Sequence, residues 1–195
     1  MAGVLLILVA GAFWFAKYRT AQRQQDLQAA FNVLETPVGP ASADVKTFPT
    51  QQAKTDASLK ALSQVVDKDG NSREGMTARY YRGTLRAQNG DAKGAEADLS
   101  AAANSSSDCS SLAKIALAQL YIGQNKTAQA RSLLTELVNK PTDLVSKGQA
   151  QVLLAQMLSS SNPQEAKKII QTLKSPGQNP AVTRAADQLA SELSK

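Results

Sequence analysis

TARYYRGTLRAQNGDAKGAEADLSAAA, residues 77–103, is the stretch whose reading decides the fold. Helix-forming residues run up to and away from Asn89-Gly90-Asp91. There an asparagine or glycine can take the left-handed conformation that ends one helix, while an aspartate caps the next. Gly83, Ala95 and Ala102 are small residues at the places where two antiparallel helices must approach closely. The stretch therefore reads as a helical hairpin.

Degenerate copies of it follow. Aligning on the small residue that opens the second helix pairs Ala95 with Ala130 and Ala166, at spacings of 35 and 36 residues. Leu99, Leu134 and Ile170 then fall at the large apolar position four residues later, and Ala102, Leu137 and Leu173 three after that. In the first helices, Leu117, Ala118 and Tyr121 are matched by Leu153, Leu154 and Met157. This agreement in phase over about residues 73–174 resembles the tetratricopeptide repeat, a helical pair recurring about every 34 residues. In the first copy Arg79, Arg82 and Arg86 stand where that pattern places large apolar residues, so Ala78, Tyr81 and Leu85 are expected to carry its apolar face.

Composition narrows the function. The 195 residues are 43% hydrophobic and 5% aromatic, which suits helices packed through alanine. The net charge of +6 is spread among alternating acids and bases, with no base-reading module or aromatic platform for nucleic acid. A single cysteine, Cys109, excludes an internal disulfide and a multi-cysteine metal site, and is expected as a small residue near a helix start. There is no histidine, glycine-rich phosphate loop or nucleophile elbow. Neighbouring acids such as Asp67/Asp69 and Glu96/Asp98 point to different sides of a helix and read as solvated faces. The expectation is a non-enzymatic protein with no catalytic residues, metal, cofactor or small-molecule substrate.

Taken in order, residues 1–17 read as a membrane anchor. The first 16 are uncharged and strongly apolar, and Trp14 precedes Lys17, Tyr18 and Arg19. As a helix they span about 24 Å against a hydrocarbon core of about 30 Å, so tilt, snorkelling or residues upstream of Met1 are needed. The small-x-small motif Ala10-Gly11-Ala12 offers a signal-peptide alternative, opposed by the lack of a basic leader. Residues 18–35 read as a stalk helix and 36–49 as a Pro-rich linker. Residues 50–195 form the repeat domain, with an opening helix at 50–66, helical pairs at 73–104, 109–140 and 144–175, and a capping helix over 181–193. Helix starts are signalled at Ser107-Asp108, Asp143 and Asn162-Pro163, and Pro176, Gly177 and Pro180 break the chain before the cap. The whole is an all-α, tetratricopeptide-like, right-handed superhelix of helical hairpins with an N-terminal membrane-spanning helix.

In such a stack the first helices line a concave surface. Its register assigns Tyr80, Thr84, Ile115, Gln119, Ile122, Gln151 and Leu158 to a partner-binding groove. Arg79, Arg82 and Arg86 share one helical face, which suits either a solvated stripe or a patch for an acidic segment of a partner. The architecture, with ARYYRG at 78–83 and GDAKGAEADL at 90–99, resembles the YfgM-like single-span tetratricopeptide proteins. That resemblance implies a bacterial inner-membrane protein with a periplasmic repeat domain, an ancillary subunit at the Sec translocon in contact with chaperones that receive emerging polypeptides. Alternatives are an envelope-assembly scaffold and a cytoplasm-facing membrane adaptor. The last is favoured by Lys17, Arg19 and Arg23 on the C-terminal side of the span. Self-association is compatible with each.

Overall fold

The computed structural model describes residues 2–40, 46–175, 177 and 179–194, with side chains from residue 11 onward. Among them are nine helices: α1 (Ala2–Glu35), α2 (Gln51–Asp69), α3 (Arg73–Gln88), α4 (Ala92–Ala103), α5 (Ser110–Gly123), α6 (Thr127–Asn139), α7 (Lys147–Ser161), α8 (Pro163–Leu173) and α9 (Pro180–Glu192). The expected helical pairs thus appear as α3–α4, α5–α6 and α7–α8, with α9 after them. An isolated bridge between Val38 and Phe48 closes the connection from α1 to α2, whose residues 41–45 lie outside the described set, as does Pro176.

Local chemistry sets the ends. Gly90 has φ 81° after α3, and Asn125 has φ 59° at the corresponding turn after α5, where few residues other than glycine and asparagine sit without strain. Thr50 caps α2 by accepting from the Ala53 amide, and Ser72 caps α3 by accepting from that of Gly75. Asn162 caps α8, with Pro163 just inside it, as its dipeptide promised. Two start signals were misplaced. α7 begins after Ser146, whose capping box with Gln149 satisfies both orphan amides, and not after Asp143. α5 starts after Cys109, a buried thiol with no capping bond of its own, while the Ser107 hydroxyl meets Ser105 and Cys109.

The chain divides into two compact units, residues 1–91 and 92–195. In the second, the aligned repeat positions are its core. Ala95, Ala130 and Ala166 are each 0% exposed, and Leu99, Leu134, Ile170, Ala102, Leu137 and Leu173 are all buried. Alanines at the closest approach let the helices come near enough for the leucines to interdigitate. At the C-terminal end, Val182, Ala186 and Leu189 of α9 join Ala155, Ile170 and Leu173, and a β-carbon on Gly148 would meet Val182 at 3.0 Å.

The first unit is three helices around Ala30, Leu62, Val65, Val66 and Ala78, edged by Leu27 and Leu34. Its apolar contacts involve only the later turns of the α1 stretch at 18–35. The earlier turns are held by charge. Arg19 and Arg23 both reach Asp69 Oδ1, at 3.0 and 2.9 Å, and Lys68 pairs with Asp26. Asp69, expected on a solvated face, has a side chain only 8% exposed. Asp98 departs from the same expectation, buried at 1%.

No described helix is long and apolar enough to cross a membrane, so the expected membrane-spanning helix is not recovered. From Lys17 onward α1 is rich in charge and amide groups, and the side chains of residues 1–10, most of that span, lie outside the described residues.

Leu134→Ala should destabilise the second unit by about 2–5 kcal/mol and Ala130→Leu by about 1–3 kcal/mol through overpacking. Denaturant midpoints of the full chain check both, and Thr135→Ala on the exposed side of α6 should change little. In the first unit, burial works to raise the Asp69 carboxyl, but the hydrogen bonds from Arg23 and Arg19 outweigh it and hold it below the ordinary aspartate range. A lowered carboxyl contributes stability that is present above its unfolded value, about 3.9, and lost as pH falls through the folded one. The thermal midpoint of the first unit should therefore hold between neutrality and about pH 5 and fall below about pH 4. Asp69→Asn should lower that midpoint at neutral pH and flatten its fall in acid.

Candidate partner-binding surface

Among the described residues no cluster of three or more acidic or cysteine side chains is placed to hold a metal ion, and the chemistry on offer is that of surfaces. Two were expected, an arginine stripe on α3 and a groove along the first helices.

The arginines do share a face of α3, and each is engaged within the first unit. Arg82 is 8% exposed and donates to Ser63 Oγ of α2 at 3.1 Å. Arg79 donates from Nε to the Gly70 carbonyl at 3.2 Å, and Arg86 Nε lies 3.6 Å from Asp91 Oδ2. The stripe that α3 buries is Gly75, Ala78, Arg82 and Gly83, so an arginine takes a place that had been given to apolar residues. Its methylene stem packs while its head finds a hydroxyl, which a reading by side-chain class misses. Of the three residues expected to carry the apolar face, Ala78 is buried, Leu85 is half-buried and Tyr81 is 38% exposed. Tyr81 instead joins an aromatic group, edge-on to Phe31 of α1 at 4.9 Å and to Tyr80 at 5.0 Å between centroids.

The groove residues fall in both units. In the first, Tyr80 and Thr84 are half-buried, and the Thr84 hydroxyl donates back to the Tyr81 carbonyl at 2.8 Å. In the second, Ile115, Gln119 and Ile122 share one stripe of α5, as spacings of four and three require. Ile115 packs at the edge of the cluster formed by Leu137, Val145 and Ala150, while Gln119 and Ile122 are exposed. On α7, Gln151 is half-buried and Leu158 is core, at 2% exposure. Leu158 is therefore not a groove residue. α6, α8 and α9 all pack against α7, leaving less of its circumference open than α5 keeps.

Ionic links join successive hairpins of the second unit. Lys126 donates to Glu96 Oε2 at 2.8 Å and lies 5.2 Å from the Tyr121 ring centroid, while the Tyr121 hydroxyl reaches Glu96 Oε1 at 3.2 Å. The Lys126 hydrogen bond leads in holding the Glu96 carboxyl below its usual range, and burial leads in raising the Tyr121 phenol. Arg131 pairs with Glu165, and Lys174 with Asp187, further along. Sequence spacing gave no sign of these pairs, because each joins residues 13 or more positions apart, well beyond one helical turn.

One more surface follows from α1. Phe13, Trp14, Phe15 and Tyr18 are 56–71% exposed and spread around the helix. Trp14 stacks on Tyr18, and Lys17 lies over Phe13.

No curated protein and no solved structure matches the sequence. A family model does, over residues 1–143, which takes in α1 through α6 together with the aromatic collar and the Asp69 links. Repeats of this kind are typically non-catalytic modules for binding other proteins, in keeping with a site made of helix faces. The chain belongs to the family of tetratricopeptide repeat-like domains.

Proposed function

We propose that this protein is a non-enzymatic, membrane-anchored scaffold that binds other proteins, an ancillary subunit at the bacterial Sec translocon that passes emerging polypeptides to periplasmic chaperones. The family membership carries the binding role. The open stripe of α5, with Gln119 and Ile122 exposed on a firmly packed helix, supplies the surface for it. Attachment to the inner membrane is assigned to residues 1–17. Supporting it are the uncharged apolar run of the first 16 residues, the continuity of α1 from Ala2 to Glu35, and four exposed aromatic side chains just before the first arginine. Aromatic rings followed by cationic side chains suit a membrane–water interface. A periplasmic repeat domain is preferred for its likeness in architecture to the YfgM-like proteins.

A second reading has a specific observation in its favour. Lys17, Arg19 and Arg23 follow the apolar run and no basic residue precedes it, which by the positive-inside rule leaves the repeats in the cytoplasm as a membrane adaptor. A reporter active on only one side of the membrane, fused after Lys195, separates the two.

A photo-crosslinking residue at Gln119 or Ile122 in cells should give adducts with translocon subunits, chaperones or emerging chains, and the same residue at Thr135 on α6 should give far fewer. Equal adducts from all three positions, or none from the α5 pair, would remove the groove from this reading.

A further inference from the structure

The membrane-proximal end of the first unit has a composition that the protein-binding role does not use. α2 runs antiparallel to α1, because Asp69 at its C-terminal end meets Arg19 and Arg23 while Leu62 and Val65 meet the later turns of α1. The turn from α2 to α3 therefore lies at the end of the unit that faces the aromatic collar. A cavity of about 520 Å³ opens there, lined among others by Arg23, Lys68, Asp69, Gly70, Asn71 and Arg79. Around it Lys17, Arg19, Arg23, Lys68 and Arg79 stand against Asp26, Asp67 and Asp69, and Arg73 and Glu74 offset each other.

α1 works as a ruler. Arg19 lies five residues beyond Trp14, about 7.5 Å along the axis of an uninterrupted helix, and Arg23 about 13.5 Å. The head-group layer on one side of a bilayer is roughly 5–7 Å deep. With Trp14 and Tyr18 at the hydrocarbon boundary, the Asp69 links hold the α2–α3 turn at the outer edge of the head groups. That places it within the screening length of about 8–10 Å over which exposed charges act.

We propose that the α2–α3 turn of the first unit, residues 67–72, docks on the phosphate head groups of anionic phospholipid, giving the protein a second contact with the bilayer besides its apolar helix. The inference rests on the membrane attachment proposed above. The occupant is argued from charge complementarity and position together. The excess of cations lies at this end of the three helices, and the helix geometry brings that end to the lipid surface. Two attachment points fix the rotation of the unit about α1, which a single helix through a bilayer leaves free.

The full chain in lipid nanodiscs tests both steps separately. Trp14, the sole tryptophan, should be quenched by lipids brominated on their acyl chains. The amide signals of Gly70 and Asn71 should be broadened by lipid carrying a head-group nitroxide, more in discs containing phosphatidylglycerol than in discs of phosphatidylcholine alone. Asn71 is exposed, so a charge can be introduced there without breaking a core contact. Asn71→Glu should reduce the preference for anionic lipid about fivefold, and Asn71→Lys should raise it by a similar factor. Quenching of Trp14 without broadening at the turn overturns this proposal and leaves the anchor standing. Absence of Trp14 quenching overturns the anchor and the proposal with it. Equal broadening in both kinds of disc, or shifts of the same amides produced by inorganic phosphate alone, would also overturn it.

Discussion

Two helices can lie close together only where one of them offers almost no side chain, and the second unit depends on that constraint. Ala95, Ala130 and Ala166 are completely buried at the opening of α4, α6 and α8, and Ala113, Ala150 and Ala186 are as deeply buried on α5, α7 and α9. At these points the backbones approach, and the leucines one turn further on reach across to fill the space between. A hairpin alone would leave one such face wet. Each therefore needs the next, and α9, with Val182, Ala186 and Leu189 inward and a polar opposite side, ends the series.

That constraint also explains what the sequence disclosed. Small and large apolar residues had to recur in one phase for the hairpins to stack, so the pairs at 73–104, 109–140 and 144–175 could be read with nearly the observed ends. What depends on contacts between distant residues was not legible. Arg82 looked like a surface cation until Ser63, 19 residues earlier, gave its head a partner inside the unit. Leu158 looked available until α9 was seen to close on α7 along with α8. Asp69 sat in a run of charges that read as solvent-facing, and only the fold of α1 against α2 brings it to Arg19, 50 residues away. For the candidate groove, the spacing correctly grouped Ile115, Gln119 and Ile122 on one face of α5, but which of the three stays open depends on how deeply the neighbouring cluster reaches.

The two units are held together by different forces along their lengths. In the second, apolar packing runs from one end to the other. In the first, Leu27, Ala30 and Leu34 dock the later turns of α1 by apolar contact, while Arg19, Arg23 and Asp26 dock the earlier turns by charge. Exposed ion pairs are individually weak, so the change of force is hard to explain as a gain in stability.

It becomes intelligible if the earlier turns of α1 lie at a bilayer surface, as proposed. An apolar stripe there would face two competing hosts of similar affinity, the flank of α2 and the acyl chains, and the helix could slide between them. A carboxylate that accepts from two guanidiniums has no counterpart in hydrocarbon, so the Asp69 links fix one register for α1 whatever the lipid does. The same charges that protect the register then leave the end of the unit cationic. In this way the need to hold a membrane helix in place and the means of reading a lipid head group arise from a single set of side chains.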